Sequence, residues 1–388
     1  MTILRRSLVL ACVLAAAFAR AYPVGAMLPF HFGLFASGPL DGITDVQGVR
    51  VANLTKIVGS DVRTGATVVL PNADPWNAKV AAATLSFNGN GEMTGTHWIE
   101  EAGYLEEPIV LTDTLDVGRA DDGVVSWMMR KYPRVGVTDD VPLPVVAECD
   151  DQLLNDIRGR YVTANDVEGL IDRARPGQFA RGSVGAGTGM KAFGFKAGIG
   201  SASRVLPPSL GGYTVGVLVD DNTGSQRAQL TIAGVPVGQR LANVDLPVFP
   251  HRVALHGRMA SGSIDVVVAT DAPLDSRQLH ALASRAALGM GRAGLSSDIG
   301  SGDLFLAFST SYAFARHADF EIAPPAIPIL AREDSLNALY EAAAEATQAS
   351  IYDALFEATT MTGRGGVTFF ALPQARVMEM LRAAGAAR

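Results

Sequence analysis

Cysteine is nearly absent from this chain of 388 residues: there are two, Cys12 and Cys149. Histidine is scarce as well, with six residues, none at the spacing of a metal-binding pair. No H-E-x-x-H, C-x-x-C or Walker A pattern occurs, which excludes the common zinc-peptidase, dithiol and P-loop chemistries. No G-x-S-x-G occurs either, so an ordinary α/β-hydrolase elbow is excluded. "GMGRAG" (289–294) fits a dinucleotide fingerprint by letter, but it follows a helical pattern rather than a strand and reads as a helix end and loop.

What is present is apolar. Hydrophobic residues make up 48% and charged residues 18%, enough for a large core and too apolar for disorder. Residues 1–22 read as a secretory leader: Arg5 and Arg6, an apolar run from Ser7 to Phe18, then small residues, with cleavage expected between 19 and 26. Losing Arg5, Arg6 and Arg20 moves the net charge from −7 to about −10, a poor surface for nucleic acid. Cys149 would then be the single cysteine, so no intramolecular disulfide is expected. A periplasmic or secreted protein follows, with no membrane contact after leader removal.

Residues 23–388 read as one α/β domain. Strand patterns lie at 49–58, 65–71, 211–224 (a strand leading into a polar turn), 300–311 and near 367–372, with a strand that ends in an acidic loop over 143–157, and helical ones near 98–103, 120–132, 164–174, 335–359 and 373–384. Glycine clusters in "GSVGAGTGMKAFGFKAGIGSASR" (182–204), which suits either a phosphate cradle or close backbone packing. Glu148, Asp150, Asp151 and Asp156 form an acidic group that suits a hard cation, a solvated loop or an amine-binding carboxylate. Cys149 is either a thiol nucleophile or, more in keeping with a strand end, a small buried residue.

"GSIDVVVATDAPL" (262–274) is a strand that starts abruptly at Ser263, and Thr270, Asp271 and Pro273 carry the signals of a helix start. Six Gly-Ser pairs occur in the chain, so the dipeptide alone singles out nothing. A serine hydroxyl is a weak nucleophile until a base takes its proton. At a new chain terminus that base could be the serine's own α-amine, with an ordinary pKa of roughly 7.7–8.0.

In order along the chain, "NGNGEMTGTHWIEEAG" (88–103), "PVVAE" with "LND" (144–156), the glycine block, "VGVLV..N.G" (215–224), "GSIDVVVATDAPL", "GSGDLFLAFST" (300–310) and "ATTMTGR" (358–364) resemble the L-aminopeptidase/D-Ala-esterase/amidase family, which includes the β-peptidyl aminopeptidases. The resemblance spans roughly residues 38–385. It implies an αββα four-layer sandwich like that of N-terminal nucleophile hydrolases and ornithine acetyltransferases. It implies self-cleavage between Gly262 and Ser263, with Ser263 the nucleophile, Ser301 and Asp303 its support, Asn222 the oxyanion donor and Glu148 the carboxylate that meets the substrate's free amine. The expected activity is a serine aminopeptidase acting on short peptides, amino-acid amides or esters, without metal or cofactor, as a homo-oligomer. An acyltransferase or amidase using the same nucleophile, and a non-catalytic exported binding protein, are the alternatives. The chain departs from the family at Asp150, Gln152 and Asp113 and in the stretch 241–260, changes that bear on substrate choice.

Overall fold

The computed structural model describes residues 27–224, 226–250, 262–315 and 329–387. The leader expected over residues 1–22 lies outside them, as does part of the stretch 241–260. In chain order the strands begin with β1 (Arg50–Val58), β2 (Val62–Leu70), β3 (Ala78–Gly89), β4 (Tyr104–Leu105), β5 (Ile109–Asp113) and β6 (Val145–Cys149). A short hairpin, β7 (Lys191–Ala192) and β8 (Phe195–Lys196), precedes β9 (Ile199–Val205), β10 (Thr214–Asn222), β11 (Ser263–Thr270) and β12 (Gly302–Ala315). A second short hairpin is β13 (Met361–Thr362) with β14 (Thr368–Phe369). The helices are α1 (Thr96–Ala102), α2 (Val117–Lys131), α3 (Ala164–Arg173), α4 (Val237–Arg240), α5 (Ser276–Ala293), α6 (Glu333–Phe356) and α7 (Gln374–Ala383).

Two sheets stack face to face. One runs β1-β2-β5-β6, the other β4-β3-β12-β11-β10-β9. Among the described strands only β5–β6 and β11–β12 are parallel pairs. Strand alternation divides the apolar side chains into three layers. Ile264, Val266 and Val268 of β11 pack under α5 and α6 with Leu279, Leu282 and Leu339. Val267 and Ala269, the alternate residues, pack between the sheets against Leu304, Leu306, Val145 and Ala147. Val68, Val110 and Val146 face α2 and α3 with Val124, Trp127 and Leu170. The result is the expected αββα sandwich. Burial on both faces explains why β11 reads as a nearly continuous apolar run.

The glycine block is built for contact between backbones. A Cβ on Gly200 would lie 1.9 Å from the Ser350 carbonyl oxygen of α6, and one on Gly187 would lie 2.2 Å from the Ile199 nitrogen. The helix start expected at Thr270–Pro273 falls later. Asp275 caps α5, accepting from the Gln278 N–H at 2.7 Å while Gln278 Oε1 accepts from the Asp275 N–H at 3.2 Å. Thr270 and Asp271 instead bind the backbone of Thr214, whose N–H donates to Asp271 Oδ1 at 2.8 Å. "GMGRAG" ends α5, with Gly294 at φ 108° as its C-cap. Among the described residues no helix is long and apolar enough to cross a membrane.

Candidate active site

Ser263 is the first residue of β11 and stands in register with Asn222, the last residue of β10, and with Gly302, the first of β12. Its Oγ accepts from the Gly302 N–H at 3.3 Å, and the residue is 7% exposed. Alternation along β11 sends its side chain to the space between the sheets, on the face of Val267. Gly262, just before it, has no room for a side chain. A Cβ there would lie 2.7 Å from the Asn222 carbonyl oxygen and 2.8 Å from Thr223 Cα.

Ser301 and Asp303 act as a unit: the Ser301 hydroxyl donates to Asp303 Oδ1 at 2.6 Å. Asp303 is in register with Ile264, so its side chain lies on the α5 side of the sheet, opposite the Ser263 hydroxyl. There the two line a small cleft together with Gly262, Thr223 and Leu295. Burial pushes the Asp303 pKa up, and the hydroxyls of Ser297 and Ser301 draw it back. Asp303 Oδ2 is buried with no partner at hydrogen-bonding geometry among the described residues.

The Asn222 side chain is fixed at both ends. Its Oδ1 accepts from the Lys191 N–H at 3.2 Å, and its Nδ2 donates to the Asp150 carbonyl at 2.8 Å. A backbone N–H can only donate, so the amide orientation is determined. One Nδ2 hydrogen is used by Asp150; among the described residues the second makes no hydrogen bond, so an oxyanion can use it.

Glu148 comes from the other sheet, on β6. Its Oε1 accepts from the Glu92 N–H at 3.1 Å and its Oε2 from the Thr114 hydroxyl. Burial pushes its pKa up to about 7, against those two hydrogen bonds. Gly91 ties it to the strand pair that carries Ser263: a Cβ on Gly91 would lie 3.2 Å from Gly302 Cα and 3.5 Å from Glu148 Oε1. The fold thus gathers, from both sheets, a serine at a strand mouth, an oriented amide, a hydroxyl–carboxyl pair and a carboxylate.

The model of peptidase family S58 matches residues 41–369. The chain belongs to peptidase family S58. It is 42% identical over 360 residues to the β-peptidyl aminopeptidase BapA of Sphingosinicella microcystinivorans, covering 89% of this chain and 88% of that one. The solved β-aminopeptidase of a Burkholderia species is 38% identical and superposes with a TM-score of 0.83, covering 92% of this chain and 97% of that one. The L-aminopeptidase D-Ala-esterase/amidase of Ochrobactrum anthropi, a prototype for the serine aminopeptidases with a variant of the Ntn hydrolase fold, is 39% identical with a TM-score of 0.82, over 93% and 98%. This S58 chain is accordingly a serine aminopeptidase, a self-processing hydrolase that releases N-terminal residues.

The other sequence candidates in the S58 chain resolve as follows. Cys149 is buried, its Sγ lying 3.6 Å from the Asp220 carbonyl, and burial pushes its thiol up, so it is no nucleophile. The acidic group after β6 diverges. Asp150 accepts from the Gln152 N–H at 2.8 Å, Asp151 from Asn155 Nδ2 at 2.9 Å and Asp156 from the Tyr161 hydroxyl at 3.5 Å. Asp113 caps the turn after β5, accepting from the Leu115 N–H at 2.9 Å. Sequence reasoning missed three buried groups near Ser263. Asp220 and Asp265 are register partners one pleat from Asn222 and Ser263, and Lys191 sits on the β7–β8 hairpin. The only sequence signal for Lys191 was a lysine inside a glycine-rich, otherwise apolar block.

Proposed function

We propose that this peptidase cuts its own chain between Gly262 and Ser263 and then uses Ser263 as the nucleophile of an acyl-enzyme. The observation that carries the reading is the placement of Ser263 at the head of β11, with Asn222 as its register partner and the Ser301–Asp303 pair across the sheet edge. A residue at a strand end can send its hydroxyl to one face while its freed α-amine turns to the other. On the far face the amine meets Asp303, whose Oδ2 has no hydrogen-bond partner among the described residues, and the Ser301 hydroxyl. Held there, the amine takes the hydroxyl proton as Ser263 attacks the scissile carbonyl. The second Nδ2 hydrogen of Asn222 stabilises the developing oxyanion. Glu148, ionised, pairs with the substrate's terminal ammonium.

Short peptides, amino-acid amides and esters are the substrates this site suits. The similar proteins are named for β-peptidyl bonds and for L-aminopeptide and D-alanyl ester or amide bonds, so substrates of all these types belong in the first panel. Export by the segment 1–22 to the periplasm or beyond, and a homo-oligomeric assembly, are part of the same reading. Intact-mass analysis and N-terminal sequencing test its centre. Wild type should give two fragments, the smaller starting at Ser263, and Ser263→Ala should remain one chain. A fragment starting at any other residue rejects the assignment.

A further inference from the structure

Self-cleavage poses a proton problem that the mature site's base does not solve. In the intact chain the Ser263 nitrogen is an amide, so no α-amine exists to serve as base. Yet the Ser263 hydroxyl must lose a proton, and the Ser263 nitrogen must gain one as it leaves the Gly262 carbonyl.

Lys191 stands at that junction. The β7–β8 hairpin turns through Phe193 and Gly194, at φ 50° and 71°, a left-handed pair costly for phenylalanine. It is pinned across the end of β10 by the Phe193 N–H, which donates to the Thr223 carbonyl at 3.1 Å. From this hairpin Lys191 Nζ donates to the Asn222 carbonyl at 3.3 Å. The direction of that carbonyl decides what lies beside it. The Asp221 N–H donates to Gly198 on the β9 side at 2.9 Å, and the Thr223 carbonyl faces the same side. Alternation therefore turns Asn222, between them, toward β11, where its register partner is Ser263. The close approach of the same oxygen to Gly262 agrees. One carbonyl thus has the lysine on one hand and the bond to be cut on the other.

We propose that Lys191 is the proton donor to the Ser263 nitrogen during self-cleavage, a role that rests on the Ser263 reading above. The Ser263 Oγ–carbon bond forms at the Gly262 carbonyl and the carbon–nitrogen bond breaks. Lys191 gives its proton to the departing nitrogen and, as a neutral amine, recovers one from the Ser263 hydroxyl. Water then hydrolyses the Gly262–Ser263 ester, leaving a Gly262 carboxyl, a free Ser263 hydroxyl and the new α-amine. The lysine is 5% exposed, and its burial draws its pKa below the ordinary 10.5. Asp221, Asp150 and Cys149 are the titratable groups around it. Other groups near the junction are placed for other tasks: Glu148 is held by Thr114 and Glu92 on the opposite sheet, and Asp303 lies on the far face of β12.

The test is a time course of fragment formation after cell-free synthesis of wild type, Ser263→Ala, Lys191→Met and Lys191→Arg, scored in the soluble fraction, with thermal melts of each. Arginine keeps the charge but releases a proton poorly, with a pKa above about 12. The expected result is prompt cleavage of wild type, none of Ser263→Ala, and cleavage slowed about 10²-fold in both lysine variants. Wild-type rates in Lys191→Met, or full recovery in Lys191→Arg, would overturn the proposal, the second by assigning Lys191 a purely electrostatic role. If wild type is not cut at Ser263, or Ser263→Ala is cut, the fault lies instead with the nucleophile assignment.

Discussion

Asn222 and Ser263 stand opposite each other at the open end of one antiparallel ladder, the last residue of β10 facing the first of β11. The ladder fixes their relative height, and the contacts from Lys191 and Asp150 fix the amide's rotation. A donor preorganised in this way contributes to the transition state rather than to substrate binding. Asn222→Ala should therefore lower kcat by roughly 10²–10³ and leave KM within a few-fold. Steady-state kinetics on an amino-acid p-nitroanilide check this, and near-normal turnover would remove Asn222 from the mechanism.

In its proposed role Glu148 must be ionised to attract an ammonium, and burial pushes its pKa up to about 7. Cleavage of free-amine substrates should accordingly weaken, through a rising KM, as pH falls through about 7. Glu148→Gln should lose this KM dependence and bind such substrates poorly at every pH, while still cutting itself, since the precursor bond has no free amine beside it. N-acetylated substrates should be poor for wild type. Equal rates on free and acetylated substrates would make the enzyme a general amidase.

Gly262→Ala places a methyl 2.7 Å from the Asn222 carbonyl oxygen and 2.8 Å from Thr223 Cα, both backbone atoms that cannot swing away. The strand mouth must shift, and attack geometry is sensitive to shifts of about 1 Å. Self-cleavage should slow by on the order of 10²-fold. A gel time course comparing the two precursors measures it, and unchanged cleavage would mean that the junction is not held in the geometry described.

Asp220 and Asp265 face each other fully buried; burial first, then the negative charge of Asp221 on Asp220 and of Glu148 and Asp220 on Asp265, raises both pKa values well above the usual carboxylate range. The folded chain therefore retains protons that the unfolded chain releases near pH 4. Stability falls as pH rises above that value, and goes on falling until the folded-state pKa is passed. Asp265→Asn removes one such group. Its Tm should vary less between pH 5 and pH 8 than that of wild type, with the variant gaining most at pH 8. Parallel curves would show that the pair does not titrate as described.

Much of this architecture was legible because burial and chain period coincide. Ile264 to Ala269 declare a strand by β-branching, and its abrupt start at Ser263 is where the ladder begins. The start of α5 was misplaced because Thr270, Asp271 and Pro273 mimic a cap, while the reciprocal Asp275–Gln278 contact that sets the helix is visible only in three dimensions. Asp220 and Asp265 were illegible for a different reason. A polar residue in a strand normally marks the solvent face, and here that face is covered by a second sheet. Lys191 escaped because its partner, the Asn222 carbonyl, is 31 residues away along the chain.

The strand order of the larger sheet has a last consequence. The proposed cut after Gly262 would leave β3, β4, β9 and β10 on one piece and β11 and β12 on the other, and the two β11–β12 strands lie between β3 and β10. The pieces interleave, and neither can leave without breaking two ladders. On that reading folding happens once, as a first-order event in the uncut chain. After the cut, recovery from denaturant requires two separate polypeptides to meet, so its rate depends on concentration and competes with aggregation. The mature enzyme's lifetime is therefore set by how slowly it opens rather than by how readily it refolds.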